Sequence, residues 1–167
     1  MITIKTLGEQ FPKSGTLVWI GIRPARKQAI LTPDCIMANS QQGLIGDRYS
    51  GRSGKRQVTL FQQEHIQAIE SYTGKSIPPE TFRRNLLIQG INLLSLKGQT
   101  FQIGEATLQM TGLCHPCSQM EQALGVGGYN AMRGHGGITA RVISGGLMSL
   151  GDEVTVIVET EIDNNPA

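Results

Sequence analysis

Between Thr111 and Met120 the chain reads TGLCHPCSQM, with two of its three cysteines on either side of His115 and Pro116. At that spacing Cys114 and Cys117 can form half of a zinc site, a redox dithiol or a ligand set for a softer metal. Structural zinc needs four ligands, commonly two Cys-x-x-Cys halves or one half plus two histidines. Beyond this pair the chain offers only Cys35 and three scattered histidines, His65, His115 and His135, so zinc fits poorly. Dithiol chemistry suits the local order of strand, Cys-His-Pro-Cys and helix, because a helix N-terminus lowers a thiol's pKa. Such dithiols normally sit in a βαβ context, however, and strand-like runs dominate this chain.

Cationic residues concentrate in loops. GDRYSGRSGKR, residues 46–56, carries Arg48, Arg52, Lys55 and Arg56 among three glycines. Glycine lets backbone N–H groups turn inward and guanidinium grips phosphate bidentately, so this segment reads as an anion cradle or as a solvated basic loop. Phe82-Arg83-Arg84-Asn85 leads into the apolar run LLI. Its polar side chains suit a phosphate or a heterocycle edge, and equally suit pairing with Asp and Glu. Arg141 interrupts the strand-like ITARVI, where alternation puts Ile138, Ala140 and Val142 on one face and Thr139, Arg141 and Ile143 on the other. On pattern alone Arg141 belongs to the outer face, and His65 and His135 to the surface. A low-pKa thiolate beside anion-gripping arginines suggests a third chemistry for the cysteines. A metal is then bound through one protein sulfur, while its phosphorylated organic carrier is held by Arg and Asn.

The elements that must position these residues are mostly strands. Alternation predicts them over residues 2–6, 16–22, 28–31, 35–38, 57–61, 85–89, 100–103, 106–111, 138–143 and 153–162. Short lengths, β-branched residues and glycine boundaries predict a mainly β chain, a closed or nearly closed antiparallel barrel with a few peripheral helices. A turn recurs before strands, as Ile45-Gly46-Asp47, Ile103-Gly104-Glu105 and Leu150-Gly151-Asp152. Two helices are predicted: 62–73, with Ile66, Ile69 and Tyr72 on one face and Gly74 as its stop, and a second from near Cys117 through Met120 and Leu124 toward Gly125. The glycine-rich VGGYNAMRGHGG, residues 126–137, reads as a mobile loop or lid, and the tail after Ile162 as frayed.

Bulk properties bound the class. A chain of 167 residues is one domain by length. Charged residues are 17%, below the roughly 25% of average domains, and a net charge of +2 gives no argument for nucleic acid. Glycine is over-represented, at 21 residues, which favours many tight turns. The N-terminus lacks the apolar run of a signal peptide, and no segment approaches the roughly 20 apolar residues of a membrane helix. Three cysteines do not make a disulfide framework, so a cytoplasmic location is expected, with no membrane partner.

The motifs GDRYSGR, QVTLF, FRRNLLIQGINLLSLKGQTFQIGEATLQMTGLCHPC, RGHGG and RVISGGLMSLGDEV occur in this order. Together they resemble the MOSC domain, named for the C-terminal domain of molybdenum cofactor sulfurase. The likeness spans roughly residues 16–158 of a single domain over 1–167, and looks like the small stand-alone bacterial type. It implies a molybdenum–pterin cofactor, no haem or flavin in this chain, and two-electron reduction of N-hydroxylated compounds to amines with an external electron-donor reductase. In relatives the second cysteine of a Cys-x-x-Cys ligates molybdenum, which transfers to Cys117, with Cys114 as its supporting neighbour. The Phe-Arg-x-Asn motif matches Phe82, Arg83 and Asn85, placing Arg83 and Asn85 near the pterin phosphate or ring. Arg48 and Arg141 match further motif positions, which moves Arg141 toward a pocket. The same family includes proposed sulfur carriers, so a Cys117 persulfide fed by a sulfur donor protein, or a non-catalytic molybdopterin carrier, is an alternative.

Overall fold

The computed structural model describes residues 1–49, 51 and 53–158. Within them the strands are β1 (Gly15–Ile20), β2 (Cys35–Asn39), β3 (Gly43–Leu44), β4 (Val58–Gln62), β5 (Leu86–Gln89), β6 (Thr100–Ile103), β7 (Ala106–Leu113), β8 (Ile138–Ser144), β9 (Gly146–Ser149) and β10 (Glu153–Ile157). The helices are α1 (Ile4–Gly8), α2 (Gln63–Thr73), α3 (Ser118–Leu124) and α4 (Gly128–Met132). Seven strands close into a barrel in the order β1-β10-β6-β7-β8-β4-β5, while β3, β2 and β9 form a separate small sheet. The chain is therefore mainly β, as its alternation predicts.

One barrel pair is parallel, β4 with β5. Parallel neighbours need a crossover of a dozen or more residues. Here α2 and a 3-10 turn over Pro79–Phe82 supply it. That crossover explains why β5 reads as a continuous apolar run rather than an alternation, since both of its faces are covered. Leu60, Leu86 and Ile88 point into the barrel core, whereas Phe61 and Leu87 join a second core under the helices. Ile66 and Ile69 of α2, Met120 and Leu124 of α3, and Ala131 and Met132 of α4 complete that second core.

Several local expectations give way. Residues 2–6 carry strand-like alternation, but Ile4–Gly8 is a helix. Thr3 Oγ1 accepts from the Thr6 amide while Thr6 Oγ1 accepts from the Thr3 amide, a reciprocal cap that satisfies two orphan donors. Residues 28–31 make only a single bridge, between Leu31 and Ile22. Tyr72 is exposed, beyond the edge of the α2 stripe formed by Ile66 and Ile69. The glycine-rich segment 126–137 holds α4, because Ala131 and Met132 have a core to enter. Glu121 of α3 ties it down, accepting from the amides of Gly127 and Tyr129 at 2.8 and 2.7 Å. These two bonds hold the exposed Glu121 carboxyl below its ordinary pKa. Gly46, Gly104 and Gly151 all have positive φ, but only the turns at Gly104 and Gly151 lead directly into strands, β7 and β10, whereas the turn at Gly46 follows β3 and leads into a loop. The end of the last predicted strand and the tail, residues 159–167, lie outside the described residues.

Candidate functional site

Cys114 and Cys117 sit where β7 passes into α3. A bulge between Met110 and Gly112 in the β7–β8 pairing precedes them. Bulges re-aim a strand beside a site. The bulged Thr111 hydroxyl contacts the Lys55 carbonyl and lies 2.9 Å from Thr139 Oγ1. Cys114 is buried and Cys117 exposed. The Cys114 amide donates to Gly137 O at 2.8 Å, and Arg56 Nη2 lies 3.9 Å from Cys114 Sγ. Cys117 is the residue capping α3 in extended conformation, its carbonyl accepting from the Met120 amide at 2.9 Å. The two cysteines are therefore unequal, one packed into the fold and one open to ligands.

The arginine motifs converge from three segments. Gly21 donates to Asn85 O at 2.7 Å, and Asn85 Nδ2 donates back to Gly21 O at 3.1 Å. Arg48 donates its amide to Arg23 O at 2.8 Å, while the Arg23 amide donates to Asp47 Oδ1 at 2.9 Å. Asp47 thus caps a neighbouring turn with that oxygen. Arg23 is half-buried, Arg48 and Arg83 are exposed, and Arg84 is buried. Burial first, then the charges of Arg83, Arg48 and Arg84, push the Arg23 guanidinium below its ordinary pKa, with Asp47 opposing. Arg83 adopts a left-handed conformation, φ 57°, rare for a residue with a Cβ.

Two consecutive glycines couple the halves of the site. Arg84 Nε donates to Gly136 O at 2.9 Å, and the next carbonyl, Gly137 O, receives the Cys114 amide at 2.8 Å. Arg84 Nη1 donates to Phe82 O at 3.0 Å, but Nη2 is enclosed without a partner. A polar cavity of about 320 Å³, lined by Gln41, Gln42, Asp47 and Tyr49 among others, opens beside Asp47.

The sequence-predicted residues divide on this geometry. Arg48, Arg83 and Arg84 gather around Arg23, and Cys114 is tied to Arg84 through Gly136 and Gly137. Arg52 lies outside the described residues. Asn85 is buried, and three hydrogen bonds, to Gly21 O, Thr59 N and Thr59 Oγ1, use most of its amide. Arg141 is exposed, and its Nε and Nη2 both donate to Gln109 Oε1 across the β7–β8 pair. Arg141 thus stands on the outer face of β8, as its place in the alternation predicts. Arg23 went unnoticed in the sequence; its signal was an arginine directly ending the apolar run TLVWIGI.

His65 and His135 also depart from the surface expectation. Both are half-buried, with ring centroids 4.5 Å apart, and His135 Nδ1 is enclosed without a partner. Burial and then the facing His135 hold the His65 imidazole below its ordinary value of 6.5, against a smaller opposing effect of Glu64. A lowered folded-state pKa means that the native chain keeps His65 neutral while the unfolded chain protonates it. Its contribution is thus complete above pH about 6.5 and declines as pH falls from there toward the folded-state pKa. In thermal unfolding followed across pH, His65→Gln is expected to flatten the decline that begins as pH falls below about 6.5. Parallel curves for the two proteins count against a neutral native His65.

The fold and this arrangement define a class: a closed β-barrel presenting a cationic cluster and, beside it, a cysteine turn with the exposed Cys117 thiol. The chain belongs to the MOSC domain family, whose model, described as MOSC domain, matches residues 37–155. That family is associated with molybdenum-cofactor binding. Among solved structures the chain is similar to the YuaD protein from Bacillus subtilis, with TM-score 0.74 and 20% identity over 86% of this chain and 96% of that one. It is also similar to YiiM from Geobacillus stearothermophilus, TM-score 0.69 and 17% identity over 86% and 75%, and to YiiM from Escherichia coli, TM-score 0.69 and 19% identity over 89% and 72%. At these identities the likeness is one of fold. No curated protein matches the chain.

Proposed function

We propose that this chain binds a molybdenum cofactor through Cys117 and reduces N-hydroxylated compounds to amines with electrons from an external donor protein. The observation that carries this reading is the Gly136–Gly137 link, which ties the cationic cluster to the cysteine turn. The residues fit such a group on two counts. The guanidiniums of Arg23, Arg48, Arg83 and Arg84 suit a phosphate. The cavity beside Asp47, with its amide, carboxylate and phenol groups, suits a hydrogen-bonding heterocycle. Among the described residues no three His, Cys, Asp or Glu side chains converge to hold a metal. A metal at Cys117 then takes one ligand from the protein and the others from an organic carrier.

When bound, the cofactor supplies the two-electron chemistry, in which R–NHOH, two electrons and two protons give R–NH2 and water. The chain's own residues hold and orient. Cys117 ligates at the start of α3, Arg56 and the buried Cys114 support the turn, and the arginines fix the phosphate. Asn85 fixes Gly21, and with it the segment leading to Arg23, beside the turn that carries Arg83 and Arg84. A second reading uses the same exposed thiol as a persulfide carrier, which the openness of Cys117 favours.

Metal analysis and pterin detection, on protein from a cofactor-competent host, test the proposal. One molybdenum per chain, lost in Cys117→Ser together with hydroxylamine-compound reduction, is the expected result. Cys114→Ser is expected to retain the cofactor; if it alone abolishes binding, the ligand is the other sulfur. Persulfide on Cys117 without molybdenum overturns the reductase reading in favour of sulfur transfer.

A further inference from the structure

Residues 2–7, ITIKTL, carry three large apolar side chains that their own chain leaves in water. Ile2 is 77% exposed, Ile4 85% and Leu7 49%, and α1 buries no residue. Isolated helices shorter than roughly 12–15 residues are marginal in water, so a five-residue helix without packing has little to hold it. Ile and Thr also favour strands over helices. The reciprocal threonine cap supports the turn but covers none of its apolar surface. The alternation of Ile2, Ile4 and Thr6 with Thr3 and Lys5 suits a strand with one buried face, yet among the described residues no strand pairs with it.

The barrel has an open strand edge of its own. β10 pairs with β6 from Val154 to Ile157, but its pairing with β1 ends at Val154. Backbone groups of a strand point alternately to its two sides. The Leu17 amide donates to Asp152 O on the β1 side, so Val154 and Val156 turn their amides and carbonyls to that side as well. Val156 therefore faces an edge with no neighbouring strand among the described residues. Such an edge is a template for a further strand. Beside it lies a groove of about 240 Å³, lined by Phe11, Ile91, Val156 and Val158, with Glu9 and Lys13. An apolar cavity of about 150 Å³ accepts benzene, so this groove has room for two isoleucine side chains.

We propose that residues 2–6 of one copy add as a strand to the open edge of β10 in a second copy, with Ile2 and Ile4 in the groove, and that the exchange is reciprocal. Main-chain hydrogen bonds then supply the pairing and the alternate side chains the fit. Exchange of an identical element is a low-cost route to a two-fold dimer. The arm does not serve its own groove. Residues 9–14 join it to β1, form one wall of that groove and bend at Pro12 and Lys13, so they offer no strand for a hairpin.

Analytical ultracentrifugation over a dilution series, with NMR of the concentrated sample, tests the exchange. Wild type is expected to form a dimer that dissociates on dilution. In the dimer, Cα shifts of residues 2–6 are extended, and an isotope-filtered NOE joins the Ile4 and Val158 methyls of different chains. Ile2→Asp together with Ile4→Asp raises the dissociation constant about a hundredfold or more. Val158→Lys, on a half-exposed residue of the groove, weakens the dimer from the other side. Deletion of residues 2–7 gives a monomer whose unfolding midpoint stays within about 2 °C of dilute wild type, because the arm buries nothing in its own chain. Leu147→Asp, at an exposed position of the separate small sheet, leaves the dimer intact. A wild-type monomer up to about 1 mM, or a dimer that survives the deletion, overturns the proposal. An Ile4–Val158 NOE within one chain, helical shifts in the dimer, or loss of the dimer in Leu147→Asp does the same.

Discussion

Gly137→Ala is expected to lower the unfolding midpoint by roughly 8–16 °C, on the order of 4 kcal/mol. Two costs add at this position. Its φ is +89°, a conformation that an L residue adopts only with strain. A Cβ there also runs into the Leu60 carbonyl oxygen, which is backbone of β4 and cannot swing aside. Gly134 separates the two costs, because its φ is +80° but a Cβ would meet nothing within 4 Å. Gly134→Ala is therefore expected to cost only about 1–2 kcal/mol. Urea unfolding of both variants measures the difference. Similar losses in the two would mean that the close approach to β4 contributes nothing. Because Gly137 O receives the Cys114 amide, the proposed function further predicts that surviving Gly137→Ala protein loses molybdenum, read by metal analysis.

Asn85→Ala is expected to cost about 3 kcal/mol, with a fall in midpoint of roughly 6–12 °C. The Asn85 oxygen accepts from both the amide and the hydroxyl of Thr59 at 3.0 Å, and its nitrogen donates to Gly21 O at 3.1 Å. Asn85 and Gly21 are buried and Thr59 is half-buried, so truncation leaves enclosed polar groups without a partner. Asn85→Asp keeps the shape but replaces the donor facing Gly21 O with a carboxylate oxygen, and is expected to be at least as damaging near neutral pH. A residue serving only a ligand would leave the stability of the cofactor-free chain unchanged. Denaturant unfolding of that chain measures the structural role, and unchanged stability would count against it.

Much of this molecule is legible in the order of its residues. Period-two alternation located most barrel strands, and the burial of Ile138, Ala140 and Val142 against exposed Arg141 and Ile143 follows from it directly. Cys117 at a strand-to-helix junction was equally plain, since the polar SQ pair and the spacing of Met120 and Leu124 announce a helix. Alternation misled at residues 2–6, where no partner strand exists and a local threonine cap offers the backbone a cheaper solution. Composition misled at 126–137, where glycine content outweighed the apolar pair Ala131 and Met132 that anchors α4.

What the sequence determined by itself was the set of groups: a thiol pair, a scarce cationic complement placed in loops, and strands to carry them. Only the tertiary structure decided which of these meet. Arg23 joins Arg48, Arg83 and Arg84 although 60 residues separate its number from that of Arg83. Asn85 turns inward to Thr59 and Gly21, and Arg141 turns outward to Gln109. The physical reason is that the barrel closes by pairing strands distant in sequence, and the loops between them inherit their neighbours from that closure. Side-chain type and local pattern carry no record of it. Gly136 and Gly137 show the point most sharply: read along the chain they are flexibility, and in the fold they are the fixed backbone joining the arginines to the cysteines.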